Sequence, residues 1–150
     1  MISKATKVVI HIDGGSRGNP GPAAFGIVFS DSSGETIKNY ADYMGEATNN
    51  EAEYTALIFA LKKAKSLFGK DKIKETNFEI KSDSQLLISQ MTGKYKIEAQ
   101  KIQKLFLKAW NLKIDFGNLD FIFISRGENK MADKLVNKVL DAKSKNQKLF

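Results

Sequence analysis

Four acidic residues, widely separated along the chain, each lie in a short polar motif. They are Asp13, Glu53, Asp83 and Asp133, in the segments 13–22, 48–53, 82–85 and 126–133. Carboxylates that are gathered at one place repel one another, and divalent cations relieve that repulsion. Oxygen ligands in a chain without cysteine favour Mg²⁺ or Mn²⁺. Two such ions suit phosphoryl chemistry, because one activates water and the other stabilises the leaving oxygen.

Each acid also has an ordinary structural explanation. Asp13 precedes two glycines and is a candidate turn residue. Asp83 is a candidate N-cap, and Asp133 is a candidate surface acid. Glu53 falls on the apolar stripe of its helix, so a first-turn acid that favours the helix dipole explains Glu51 better than Glu53. Because all four acids fall at strand ends or helix starts, we expect them to converge on one edge of a sheet.

The pattern of apolar and turn residues predicts an α/β fold with the order β-β-β-α-β-α-α-β-α. The strands are predicted over about 8–12, 23–30, 35–44, 77–82 and 119–125. The helices are predicted from 48–50 to about 68, where glycine breaks the pattern, and over about 84–91, 98–112 and 129–142. The first and last strands are apolar on both faces. Three successive strands indicate an antiparallel meander, and the later alternation indicates parallel additions to the same sheet.

The 150 residues predict a single domain with a core over about 7–142 and a polar tail over 143–150. A net charge of +7 favours a polyanionic partner, although a basic protein without one is the alternative. The absence of cysteine excludes disulfides and fits a cytoplasmic location. No apolar stretch reaches the roughly 20 residues that span a bilayer, and the N-terminus lacks the apolar core of a secretion signal. We expect a monomer without a membrane partner.

The four motifs, in this order, resemble those of the type 1 ribonuclease H family. The resemblance extends from about Val8 to Ala142. It implies a ribonuclease H-like fold, with a five-stranded mixed sheet of three antiparallel and then two parallel strands flanked by helices. It also implies hydrolysis of the RNA strand of RNA–DNA hybrids by a two-metal-ion mechanism, with Mg²⁺ as the metal and Mn²⁺ as a substitute. In that case the four acids hold the metal ions.

The resemblance further implies a set of residues that contact the hybrid. They are Ser16, Asn19, Thr48, Asn49, Asn50, Gln85 and Arg126. Carboxamides carry both a donor and an acceptor, so they can engage a 2′-hydroxyl without reading sequence. Thr48 resembles a contributor to a pocket for a DNA-strand phosphate. Asn49 and Asn50 are explained equally well as helix-capping residues.

The sequence departs from the family pattern at two places. Many members carry a histidine in a loop before the last helix, whereas the only histidine here is His11, which is expected to be a core or supporting residue rather than a metal ligand. The loop before the last helix is shortened here. In it, Arg126 is a candidate phosphate contact, and Glu128 is a candidate for transient contact with the metal ions. A basic protrusion between the middle helices is absent. Residues 94–96 remain as candidate contacts to the DNA strand, with Trp110 expected in the core.

Two alternatives keep the fold and change the function. One is a non-catalytic module that binds hybrids or other double-stranded nucleic acid, which the net charge favours. Retention of all four acids argues against it, because a binding protein gains nothing from negative charge that faces phosphate. The other is an enzyme that also cuts RNA paired to RNA, as shortened members of the family suggest.

Overall fold

The computed structural model describes residues 6–148, which form five strands and four helices in the predicted order. The strands are β1 (Lys7–Ser16), β2 (Gly21–Asp31), β3 (Thr36–Ala47), β4 (Asn77–Ser82) and β5 (Asn118–Phe123). The helices are α1 (Asn49–Glu75), α2 (Gln85–Met91), α3 (Gln100–Ile114) and α4 (Lys130–Lys148). A single 3₁₀ turn over Arg126–Glu128 precedes α4.

The strands form one mixed sheet in the order β3-β2-β1-β4-β5. β1 pairs antiparallel with β2, and β2 pairs antiparallel with β3. β4 is parallel to β1, and β5 is parallel to β4. The predicted topology is therefore confirmed. The carboxyl ends of β1 and β4 lie at the same edge of the sheet, which brings the residues that follow them close together.

The two faces of the sheet are covered by different helices. Against one face, α1 and α3 enclose the main core, where Ile10, Ile27 and Phe78 are buried. Burying each such side chain contributes about 1.5–3 kcal/mol to the free energy of folding. Against the other face, α4 packs Val136 and Leu140 on the end of β2.

Two glycines let these helices approach the sheet on both sides of Asp13. A Cβ on Gly14 would lie 2.3 Å from the carbonyl of Ala52, in the first turns of α1. A Cβ on Gly26, the β2 residue opposite Asp13, would lie 2.6 Å from the carbonyl oxygen of Ala132 in α4. Only glycine fits such contacts between backbones. The residues that follow in each helix, Glu53 and Asp133, are thereby held near β1.

The structure corrects the predicted ends of three elements. β1 continues through both glycines to Ser16, so Asp13 lies within the strand and is not a turn residue. α1 is interrupted at Gly69 as predicted (φ 84°, ψ 164°), but helical residues resume and reach Glu75. α4 continues past the predicted end at Ala142 to Lys148, through polar residues that lack the helix-breaking glycine or proline which would end it.

Two burial predictions are wrong. β5 is half-exposed rather than apolar on both faces, because it is the edge strand of the sheet. Trp110 is 39% exposed and stacks on Phe106 at the surface of α3 instead of filling the core. The predictions for the extreme N-terminus fall largely on residues 1–5, outside the described residues. No helix within residues 6–148 combines the length and apolar character needed to cross a membrane.

The close approaches at Gly14 and Gly26 predict a steep loss of stability on substitution. Gly14→Ala and Gly26→Ala should each lower the free energy of unfolding by about 3 kcal/mol, because a Cβ forces a helix away from the sheet. Urea unfolding followed by circular dichroism measures this change. Gly127→Ala is the matched control, since a Cβ there meets nothing nearer than 3.9 Å. Equal stability of all three variants would contradict the positioning role of the two glycines.

Candidate active site

Three of the predicted acids converge on one point. Asp13, Glu53 and Asp83 each offer a carboxylate oxygen, and these atoms all lie within 4.8 Å of one another. They come from the middle of β1, the first turns of α1 and the residue after β4. Asp13 is 7% and Glu53 is 8% exposed, whereas Asp83 is half-buried. The three acids form the acidic cluster.

The start of α1 is fixed by a capping box, which sets the position of Glu53. The Thr48 hydroxyl accepts a hydrogen bond from the Glu51 N–H at 3.1 Å, and the Glu51 carboxylate accepts one from the Thr48 N–H at 3.0 Å. These bonds satisfy two of the free donors at the helix start. Glu51 is thereby occupied by the cap, while Glu53 remains available to the acidic cluster.

Asp83 likewise does not cap a helix. The N-cap of α2 is Ser84, whose hydroxyl accepts a hydrogen bond from the Leu87 N–H at 3.1 Å. The alternative explanation of Asp83 as the N-cap is therefore wrong. Its carboxylate projects into the cluster instead.

Burial and mutual repulsion raise the pKa values of all three acids. Burial first, and then the charges of Asp83 and Asp133, raises the pKa of Asp13 to about 7. Burial raises the pKa of Glu53 well above its ordinary value, with Asp13 and Asp83 adding to the shift. Burial also raises the pKa of Asp83, which Arg126 opposes. A bound cation would oppose these shifts, because it favours the charged form of each carboxylate.

The donor set fits a divalent cation. Three buried acceptor oxygens around the cluster have no hydrogen-bond partner within the described chain, namely Glu53 Oε2, Asn50 Oδ1 and Asn129 Oδ1. Buried acceptors without a donor are costly and are rare in folded proteins. A hard cation with bound water supplies what such oxygens lack, and carboxylate and amide oxygens are its usual ligands.

Asp133 lies at the rim of the same cavity rather than in the acidic cluster. The cavity has a volume of about 530 Å³, and Asp13, Glu53, Asp83 and Asp133 all line it. Asp133 is exposed, and its charge raises the pKa values of Asp13 and Asp83. We call this cavity the acidic cleft. The structure thus brings all four predicted acids together, three in close contact and one at the edge.

Most of the predicted substrate contacts lie in the acidic cleft. Ser16, Asn19, Asn49, Asn50 and Arg126 line it, whereas Thr48 and Gln85 are not among its lining residues. The Ser16 N–H donates to Asn49 Oδ1 at 2.9 Å, and the Asn49 N–H donates to Asn19 Oδ1 at 2.9 Å. These bonds tie the β1–β2 loop to the start of α1. Thr48 is the N-cap of α1, so the capping explanation of Asn49 and Asn50 is wrong.

His11 and Glu128 face a different cavity. Both line a space of about 430 Å³ next to Lys81. Burial, and then Lys81, lowers the pKa of His11, and Glu128 opposes the shift. The Glu128 carboxylate accepts a hydrogen bond from the Ser125 hydroxyl at 2.9 Å, which holds it away from the acidic cleft. The acidic cluster does not include His11.

Two polar residues of the site were missed by the sequence reasoning. Asn129 is 1% exposed, and its Nδ2 donates to the carbonyl oxygen of Ile12 at 2.9 Å, next to Asp13. The backbone carbonyl oxygen of Asn129 accepts a hydrogen bond from the Asp133 N–H at 3.1 Å. Its place in the motif of Asp133 could have pointed to it. Arg17 also lines the acidic cleft, and its place in the motif of Asp13 is the corresponding signal.

Similarity to known proteins agrees with this architecture. The model of a family described as reverse transcriptase-like matches residues 11–139. The "Ribonuclease HI" of Halobacterium salinarum is 39% identical over 135 residues, which are 90% of this chain and 65% of that protein. The "Bifunctional protein Rv2228c" of Mycobacterium tuberculosis is 37% identical over 137 residues, which are 91% of this chain and 36% of that protein. The chain thus spans less than two thirds of either relative.

A solved structure gives the same result for the fold. LC11-RNase H1, found in compost by metagenomics and solved in complex with an RNA/DNA hybrid, superimposes with a TM-score of 0.84 at 40% identity. The match covers 90% of this chain and 97% of that chain. The sheet with its acidic cluster therefore defines a ribonuclease H-like domain. The chain belongs to the reverse transcriptase-like family and, within it, to the type 1 ribonucleases H.

Crowding of the carboxylates predicts that neutralising one of them stabilises the metal-free protein. Asp13→Asn, measured at pH 8 in chelator, should raise the free energy of unfolding by roughly 1–3 kcal/mol, because a buried charge is removed from its neighbours. Thermal unfolding should show a midpoint several degrees higher. Asp71→Asn, an exposed acid outside the cleft, is the control and should leave the midpoint unchanged. A lower midpoint for Asp13→Asn would mean that the acids do not repel.

Proposed function

We propose that this domain hydrolyses the RNA strand of RNA–DNA hybrids, with two Mg²⁺ ions held by Asp13, Glu53, Asp83 and Asp133. The observation that carries the proposal is the convergence of three largely buried carboxylates, with oxygens within 4.8 Å of one another, in a protein of net charge +7. Charge of this density at one point is explained by metal binding, and Mn²⁺ has the same oxygen preference. The related chains named as ribonucleases H support the assignment.

The metal ions supply an activated water and stabilisation of the leaving oxygen. The chain supplies a rigid and partly dry frame. Asp13 and Glu53 are anchored by β1 and the capped α1, so their carboxylates lose little freedom on binding. Asp133 stands at the open rim, where it is free to follow the substrate. Arg126 lies near Asp83 and offers a positive charge to a phosphate.

Selection for RNA is assigned to the carboxamides of the cleft. The hydrogen bonds from Ser16 to Asn49 and from Asn49 to Asn19 hold these side chains before substrate arrives. Asn50 Oδ1 is buried beside the acids without a donor in the described chain, so a 2′-hydroxyl is a suitable partner for it. Gln85, exposed next to Asp83, is proposed to contact the strand outside the cleft, and Thr48 a DNA phosphate.

The proposal concerns the domain, since the matched relatives are longer than this chain. The domain is proposed to act as a monomer in the cytoplasm. Cleavage of RNA–DNA hybrids is proposed likewise as an activity of the whole protein to which the domain belongs.

Replacing one cluster acid should abolish cleavage and leave binding intact. Asp83→Asn should lower the cleavage rate by at least about 10³-fold, because the remaining acids no longer hold both metal ions. Gel analysis of a labelled hybrid in Mg²⁺ measures the rate, and fluorescence anisotropy measures binding. Asp71→Asn is the matched control and should cleave normally. Intact hybrid with the wild type in both Mg²⁺ and Mn²⁺ would leave only a binding module.

Removing the Asn50 side-chain amide should reduce the preference for ribonucleotides over deoxyribonucleotides. Asn50→Ala should lower kcat/KM for the hybrid by about tenfold, the loss expected for one hydrogen bond to the substrate. The same variant should lose little further activity when the contacted nucleotide is 2′-deoxy. RNA and DNA duplexes tested in parallel show whether RNA paired to RNA is also cut. An unchanged ratio between the ribose and deoxyribose substrates would remove Asn50 from recognition.

A further inference from the structure

Among the described residues that line the acidic cleft, the cations are Arg17 and Arg126. Arg126 acts on the cluster, because its charge lowers the pKa of Asp83. Arg17 is engaged elsewhere: its Nη2 lies 2.6 Å from Asp141 Oδ1 and 3.4 Å from Asn137 Oδ1, both on α4. Arg17 thus lines the acidic cleft but is paired with residues of α4 rather than with the acidic cluster.

The backbone at Arg17 is held firmly, so the direction of its side chain is set by the fold. The Arg17 N–H donates to the Pro22 carbonyl oxygen at 2.9 Å. A Cβ on Gly21 would lie 2.1 Å from the Arg17 carbonyl oxygen, so the loop closes tightly there. Gly18 completes the turn with a φ of 97°, which glycine adopts without strain. Arg17 therefore projects from a rigid loop toward α4.

The partners of Arg17 continue the face of α4 that begins with Asp133. Asp133, Asn137 and Asp141 follow at intervals of four residues and so lie on one side of the helix. Asn137 Nδ2 donates to the Asp133 carbonyl oxygen at 3.1 Å, which turns its Oδ1 toward Arg17. The guanidinium consequently lies about one to two helical turns, or roughly 5–11 Å, beyond Asp133.

The pair between Arg17 and Asp141 is easily exchanged. The side chain of Arg17 is 43% exposed and that of Asp141 is 69% exposed, so water and salt screen the pair. A phosphate offers the guanidinium two oxygens in a fork that matches its geometry, which a single contact to Asp141 does not. A nucleic-acid strand in the cleft is therefore a stronger partner for Arg17 than Asp141.

We infer that Arg17 is a phosphate-binding residue which Asp141 holds in place, and with which Asp141 competes, until a nucleic-acid strand enters the acidic cleft. The inference rests on the proposed function for the identity of the strand. On binding, Arg17 leaves Asp141 for a phosphate of that strand. Asp141 thereby lowers the affinity for substrate and keeps the guanidinium extended across the opening.

The two members of the pair should change substrate affinity in opposite directions. Arg17→Ala should raise the Kd and KM for an RNA–DNA hybrid about tenfold and reduce the slope of log Kd against log salt by about 1, because one phosphate contact is lost. Asp141→Asn should lower both constants about threefold, because the competing charge is gone. In the Arg17→Ala background, Asp141→Asn should have a smaller effect. Binding is measured in Ca²⁺ by anisotropy, and KM in Mg²⁺.

Controls separate this inference from general electrostatics and from the proposed function. Lys138→Ala removes one positive charge, as Arg17→Ala does, and Asp71→Asn removes one negative charge, as Asp141→Asn does. Both controls should shift Kd by less than about twofold, since neither residue lines the acidic cleft. A purely structural pair would lower the melting temperature in both variants and leave Kd unchanged, which would overturn the inference. Cleavage by the wild type together with an unchanged Kd in Arg17→Ala would also overturn it while leaving the proposed function intact. If the wild type bound the hybrid without cleaving it, the proposed nuclease activity would be rejected, and the Kd of Arg17→Ala would still decide whether Arg17 binds a phosphate.

Discussion

Electrostatic repulsion among carboxylates held in one partly dry place governs this domain. Asp13 and Glu53 are almost fully buried next to Asp83; burial raises the pKa values of both, and the charge of Asp83 adds to each shift. A fold gains no stability from such an arrangement, because a buried charge without a partner of opposite sign is destabilising. Its persistence is explained by a cation that the cluster binds. The buried Glu53 Oε2, which has no hydrogen-bond partner in the described chain, is consistent with such a ligand.

Close contacts between backbones hold this unfavourable cluster together. Gly14 admits the first turns of α1 and Gly26 admits the first turns of α4, one on each side of Asp13. The capping box of α1 and the Asn129 hydrogen bond to Ile12 fix the remaining freedom. The main core supplies the stability against which the repulsion acts. The acids therefore stay in place without metal, and a bound ion meets a preorganised set of ligands.

Two kinds of polar side chain, carboxamides and arginines, surround the acids in the acidic cleft. The carboxamides of the β1–β2 loop and the start of α1 are linked by hydrogen bonds and are suited to a ribose hydroxyl. The two arginines stand at different distances from the acids and are suited to phosphates. Arg126 is close enough to act on Asp83, whereas Arg17 is held by α4. A negatively charged substrate can thus enter a cleft whose floor is acidic.

The sequence alone determined the element order, the sheet topology and the identity of the acids. Apolar periodicity and turn residues are local signals, and the motifs around Asp13, Glu53, Asp83 and Asp133 are specific as a set. The sequence could not show that β1 passes through Gly14 and Gly15, because a glycine pair signals a turn as readily as a close helix contact. Nor could it show that Trp110 is exposed, since burial depends on which elements cover a helix. Only the tertiary structure placed Asp133 at the rim of the acidic cleft, showed that the buried Asn129 links β1 to α4, and paired Arg17 with Asp141. Each of these relations joins residues more than a hundred positions apart in sequence or depends on the packing of a helix, and such distances are fixed only when the chain has folded.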